Sequence, residues 1–179
     1  MSDEGSGTGI EDAQSRAVKT ATYFRPLRVW PAIVLLAGMV IARLIPRLVD
    51  DGPANLWMSA AFGPILCGLL IVVWWLAFSR ASWKEKIAGV AGIIGTAAIT
   101  LIVIDKSMRG PGVMVLTIPM GTAAFGMTAI LFGRTLSFRR TLLAILFAGV
   151  GFGFSALLKS DGMWGDFAVD LHWRWKESR

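Results

Sequence analysis

Apolar and polar positions along this chain do not follow a continuous helical or strand period. They separate into long uncharged runs divided by short charged ones. The clearest run is Leu56 to Ser79, twenty-four residues without a charge, inside a stretch bounded by Asp51 and Arg80. A helix rises about 1.5 Å per residue and a bilayer's hydrocarbon core is roughly 30 Å thick, so this length spans with room to tilt. A soluble helix would show a polar face every three or four residues, and none occurs here. Ile87–Ile104, Gly112–Gly133 and Leu142–Leu158 hold eighteen, twenty-two and seventeen uncharged residues. The run from Val29 to Leu48 is uncharged only as far as Ala42. It reads as a span because Pro31 suits a first helical turn, Trp30 offers an interfacial anchor, and Arg43 and Arg47 can snorkel outward. The pattern predicts an all-α integral membrane protein, a bundle of five transmembrane helices at about 29–48, 56–79, 87–104, 112–133 and 142–158. Pro64 and Pro119 fall inside spans, where neighbouring helices can re-satisfy a freed carbonyl.

Around these runs the chain divides into residues 1–24, 25–160 and 161–179. The first segment is polar, acidic and Gly/Ser-rich, and reads as a disordered or interfacial cytoplasmic tail. It has neither the basic start nor the apolar core of a signal peptide. Arg16–Phe24 reads either as a short surface helix or as more of that tail. The last segment alternates apolar and polar residues from Phe167 to Trp175, a strand-like pattern. A lone strand is unstable in water, so this tail either lies on the bilayer through its tryptophans or opens a further folded domain.

Composition agrees with lipid as the solvent: 55% hydrophobic residues, a mean hydropathy of +0.62, and 17% charged residues against roughly 25% in soluble domains. The net charge of +6 sits in short loops between apolar runs, which argues against nucleic acid as a partner. Arg16, Lys19, Arg25, Arg28, Arg80, Lys84, Lys86, Arg134, Arg139 and Arg140 fall on one side, and Arg43, Arg47, Lys106, Arg109 and Lys159 on the other. The positive-inside rule then predicts a multi-pass protein of the cytoplasmic (inner) membrane, N-terminus inside and C-terminus outside. Cys67 is the single cysteine and permits neither an internal disulfide nor a metal site built on paired cysteines.

From the second span to the fifth no ionisable residue is expected inside the membrane, which disfavours a pump or proton-coupled transporter. Membrane haem needs axial histidines within helices, whereas His172 lies beyond the last span. No catalytic residue and no metal ligand set is expected. Small residues at a spacing of four, Gly92 with Thr96 and Gly149 with Gly153, predict close helix packing. Eight tryptophans mostly read as an aromatic belt, with Trp74 and Trp75 deep enough to pack on the bundle. The loop from Asp105 through Lys106 and Arg109 to Gly112 pairs opposite charges with a Gly-Pro-Gly turn.

Three segments, DGPANLWMSAAFGPILCGLL, SMRGPGVMVLTIPMG and SDGMWGDFAVDLHWRW, resemble the N-terminal membrane region of planctomycete-type proteins that carry a PQQ-binding-like β-propeller. The resemblance covers roughly Arg25 to Trp175. It implies several spans followed by an extracytoplasmic propeller of the quinoprotein dehydrogenase kind, in cis or in trans. The PQQ-binding and catalytic residues of such a protein would lie in that propeller, past Arg179, so none falls on a position of this chain. The resemblance thus implies a membrane anchor domain, expected as part of a truncated or split gene product. Two other readings stand beside it. One is an electron-transfer module docking ubiquinone or menaquinone near Asp105, Lys106 and Arg109, by analogy with the five-span region of membrane glucose dehydrogenase. The other is a freestanding membrane scaffold, with lipid as its partner, assembling through its glycine faces.

Overall fold

The computed structural model describes residues 27–48, 54–110, 112–134, 137–163 and 169–175. The expected tail at 1–24 lies outside the described residues. Among them run five α-helices: α1 (Trp30–Leu48), α2 (Ala54–Ala77), α3 (Trp83–Val103), α4 (Ile118–Leu131) and α5 (Ser137–Phe154). Four stretches, Leu56–Ala77, Trp83–Val103, Val113–Leu131 and Phe138–Leu157, are long and apolar enough to cross a membrane. Trp30–Leu44 is a shorter apolar stretch.

The helices form because each run is a string of residues that satisfies its backbone internally and can bury its side chains against neighbours. Helix α4 touches all four others, and α5 packs against both α3 and α4. Trp75 and Phe125 meet edge to face at 5.0 Å between ring centres in the middle of this core, with Ile71, Ala129, Ala144, Ala148 and Phe152 around them. Trp74 is buried too, its indole N–H donating to the Arg28 carbonyl at 2.9 Å. Both tryptophans therefore pack on the bundle, whereas Trp30 and Trp83 remain exposed at the helix ends.

A close helix approach between α4 and α5 is built on glycine from both sides. A Cβ on Gly151 would meet the Met120 carbonyl oxygen at 2.8 Å, and one on Gly121 would run into the Phe152 ring at 2.3 Å. Gly92 faces Ile145 across the α3–α5 contact, and Gly149 faces Thr96. A Cβ on Gly153 would meet nothing within 4 Å.

Two irregular segments precede α4. Lys106–Met108 is a 3-10 turn, and Val113–Thr117 winds as a π-helix in which Ile118 N–H bonds the Val113 carbonyl. Past α5, a 3-10 turn at Ser155–Leu157 leads into β1 (Leu158–Met163), which pairs antiparallel with β2 (Val169–Trp173). The pairing matches Leu158 with Trp173 and Met163 with Val169, with a bulge between Ser160 and Gly162. The alternating tail is thus one half of a hairpin whose other strand starts at the very residue where the last span was expected to end.

Candidate functional site

Among the described residues, three places that bring polar side chains together stand out, and each is set by local chemistry of the chain.

The first lies where α3 and α5 begin. Ser82 caps α3 in a reciprocal capping box: its hydroxyl accepts from Glu85 N–H at 3.4 Å, and its own N–H donates to Glu85 Oε2 at 2.8 Å. That box starts the helix at Trp83 and draws Glu85 inside it. Arg140 Nη2 then donates to Glu85 Oε1 at 3.0 Å, with the two side chains only 3% and 4% exposed. Thr141 adds its hydroxyl to the same oxygen at 3.4 Å. Arg140 Nη1 donates to the Gly133 carbonyl at 3.2 Å, and Leu27 N–H reaches that carbonyl as well. Ionisable residues absent from the expected spans are thus present in α3 and α5, buried and paired. Both carboxylate oxygens accept hydrogen bonds, and the cluster ties four chain segments together.

The second place is the entry to α4. Pro119 has no N–H, so the Val115 carbonyl one turn earlier loses its ordinary helical partner. Arg43 Nη2 donates to that carbonyl instead. An unsatisfied backbone group in an apolar setting is costly, and the half-buried Arg43 answers it near the end of the bundle toward which its snorkelling was expected. The side chain of Arg47 lies outside the described residues. Arg43 also borders an apolar groove of about 320 Å³ with Met39, Leu44, Pro64, Leu116 and Met120. Beside it, the Thr117 hydroxyl is buried with no hydrogen-bond partner among the described residues.

The third is the turn between α3 and the π segment, where Asp105, Lys106 and Arg109 sit. Asp105 is spent on the turn itself: its Oδ1 accepts from Ser107 N–H at 2.9 Å and caps the 3-10 segment. Those Ser107 bonds, from the backbone first and then the hydroxyl, hold its carboxyl below the usual range, helped by the charges of Arg174 and Lys159. Met108 is fully buried and pins the loop. Gly110, at φ +99°, makes the reversal that a side chain would resist. Of the three residues, Arg109 lines an apolar groove that Asp105 and Lys106 do not line. The groove holds about 560 Å³ and runs between Leu101 and Ile102 on one side and Val113, Met114 and Ile118 on the other. Across the turn, Ser160 N–H of β1 donates to Ser107 Oγ at 3.2 Å, and Arg174 N–H returns to the Leu157 carbonyl at 2.9 Å. Trp173 meets Phe154 edge to face at 6.0 Å between ring centres and stacks on Trp175 at 5.0 Å.

Among the described residues no group of His, Cys, Asp or Glu could hold a metal ion. Hydroxyls meet carboxylates at Thr141–Glu85 and Ser107–Asp105, where they tie the α3–α5 contact and the 3-10 turn. Comparison with protein-family models, with curated proteins and with solved structures gives no match.

Proposed function

We propose that this chain is a multi-pass anchor in the cytoplasmic membrane, with its N-terminus inside and its hairpin held on the outer face as the seat of an extracytoplasmic module. Large apolar side chains exposed along the helices, Ile102 at 76% and Leu131 at 72% among them, suit lipid rather than water. The excess of lysine and arginine at the Glu85 end of the bundle supports that end as the cytoplasmic one.

The observation that carries the reading is the double fastening of the hairpin. Strand β1 continues α5 through a single 3-10 turn, and the hairpin is bonded back to the bundle at Ser107 and at Leu157. A two-stranded sheet alone is marginal in water, so a hairpin made to persist there needs such support. A membrane domain that only crossed lipid would have no use for it. The module this seat would carry is a PQQ-like propeller, on the resemblance of the loop and tail segments.

The test is a fusion of a phosphatase that folds only outside the cytoplasm, placed after Arg179, compared with a fusion of the same enzyme in the loop after Arg134. Activity in the membrane fraction from the first fusion alone is the expected result. Activity from the second alone overturns the orientation, and activity recovered in the soluble fraction overturns the anchor.

Quinone docking is the weaker reading, because Asp105 and Lys106 do not border the groove that Arg109 does.

A further inference from the structure

The groove under Arg109 is built before any ligand reaches it. Met108, fully buried, fixes the loop; Met108 N–H and Arg109 N–H bond the Asp105 and Lys106 carbonyls at 3.1 and 3.2 Å; and Gly110 turns the chain away. Arg109 is therefore held at the head of a slot about 560 Å³ in volume, whose walls are otherwise Leu101, Ile102, Val113, Met114 and Ile118 and the Gly110 turn. Nothing in the described chain covers those walls: Ile102 is 76% and Met114 58% exposed.

We propose that this slot is a binding site for an anionic phospholipid of the outer leaflet, with an acyl chain along Ile102 and Met114 and the phosphodiester at Arg109. This rests on the membrane reading above and goes beyond it by naming a ligand. The chemistry has two parts, a long aliphatic wall and one cation where the wall meets the polar turn. That is the layout of an acyl chain joined to a headgroup phosphate, which a guanidinium can hold with paired N–H donors. A quinone head would need polar partners at two opposite carbonyls, and the lining supplies a side-chain donor at one end only. A zwitterionic lipid such as phosphatidylcholine would fill the slot with the same acyl chain and offers the same phosphodiester, but its choline cation offsets the attraction to Arg109, so the site favours headgroups of net negative charge.

The experiment reconstitutes the full chain in phosphatidylcholine vesicles doped with a phosphatidylglycerol or a phosphatidylcholine that carries a photoreactive group on its acyl chain. Cross-links are mapped by peptide. Those at Ile102 and Met114 should exceed the phosphatidylcholine yield by about fivefold with phosphatidylglycerol, the size of one interfacial cation's contribution. Arg109→Gln should bring the two probes level while leaving cross-links at Leu69 and Ile94, on other exposed faces, unchanged. Equal yields in the wild-type chain, or a preference that survives Arg109→Gln, overturn the lipid site and leave the membrane reading intact. Equal yields that fall on adding a short-chain quinone assign the slot to that ligand instead. Absence of cross-links at Leu69 and Ile94 as well overturns the membrane reading itself.

Discussion

The two ends of this bundle fasten themselves in opposite ways. At the end where α3 and α5 begin, charge is sealed inside: Glu85 and Arg140 are buried and share a close contact, Ser82 and Thr141 add bonds to the carboxylate, and Gly133 takes a second guanidinium N–H. At the end where α5 runs out into the hairpin, Asp105 and Arg109 stay near the surface, and backbone groups of Ser160 and Arg174 do the tying. Burying a charge pair carries a large desolvation cost, repaid only when geometry is right, so such a pair tolerates one arrangement of its helices and few others. Surface turns and single hydrogen bonds are worth little each and tolerate change. The sealed end therefore fixes how α3, α4 and α5 sit on one another, and the open end tolerates more change.

The comparison breaks most sharply if the sealed end can be opened without harm. Arg140→Met leaves Glu85 buried without its partner and should cost about 3–5 kcal/mol of stability in detergent unfolding, with the double variant Glu85→Gln/Arg140→Met recovering a good part. Equal losses from Arg140→Met and from the exposed Arg109→Gln would erase the distinction between the ends. Next in size is Arg43→Met, which strips the Val115 carbonyl of its donor. A loss of about 2 kcal/mol is expected, smaller than at the sealed pair because a single neutral carbonyl is exposed rather than an ion.

Helix contact gives a finer test. Gly151→Ala pushes a methyl against the Met120 carbonyl and should destabilise by about 1 kcal/mol even after the gain in helix propensity. Gly153→Ala, with open space before it, should be neutral or slightly stabilising in the same assay. Thr117→Val removes a buried hydroxyl without a partner among the described residues while keeping its shape, and should raise stability by about 1 kcal/mol. The smallest effect belongs to the open end. Asp105 has a carboxyl pKa lowered in the folded protein, so its contribution is present above the unfolded value and is lost as pH falls through the folded one. The Ser107 amide resonance should titrate with a midpoint below the ordinary aspartate range, and Asp105→Asn should abolish that step.

Much of the helical layout was legible because lipid-length apolar runs carry their own signal. Each of the five helices lies on one of the five uncharged runs, and where a boundary moved the cause is local. Helix α3 starts at Trp83 rather than Ile87 because Ser82 and Glu85 form the S-x-x-E capping box, a signal present in the sequence that the charges of Lys84 and Lys86 obscured. The pairing of Glu85 with Arg140 was not legible. The two stand fifty-five positions apart, and Arg140 reads like any other loop cation until helix packing brings it inward. Pro119 announced a disturbed helix but not its form, since which donor would answer the Val115 carbonyl depends on where α1 lies. For the hairpin, the alternation of β2 was visible, while Leu158–Met163 was masked as a strand by the apolar run it continues. Of Asp105, Lys106 and Arg109, sequence could place all three in one turn but could not say that the first would be consumed by it.

The bond from Arg174 N–H to the Leu157 carbonyl, together with the pairing of Trp173 and Leu158, brings the exit of the hairpin back against its entrance. In mechanical terms this sets the path of a pull. Tension applied to the chain beyond Arg174 enters the 3-10 turn after α5 at Leu157 before it reaches Gly162 or Asp170, so the tip of the hairpin carries no load. The ladder would yield one rung at a time from its base, and the rung that yields first sits against the end of α5. A force drawn through the hairpin is therefore met by the bundle, at the turn that ends its last helix.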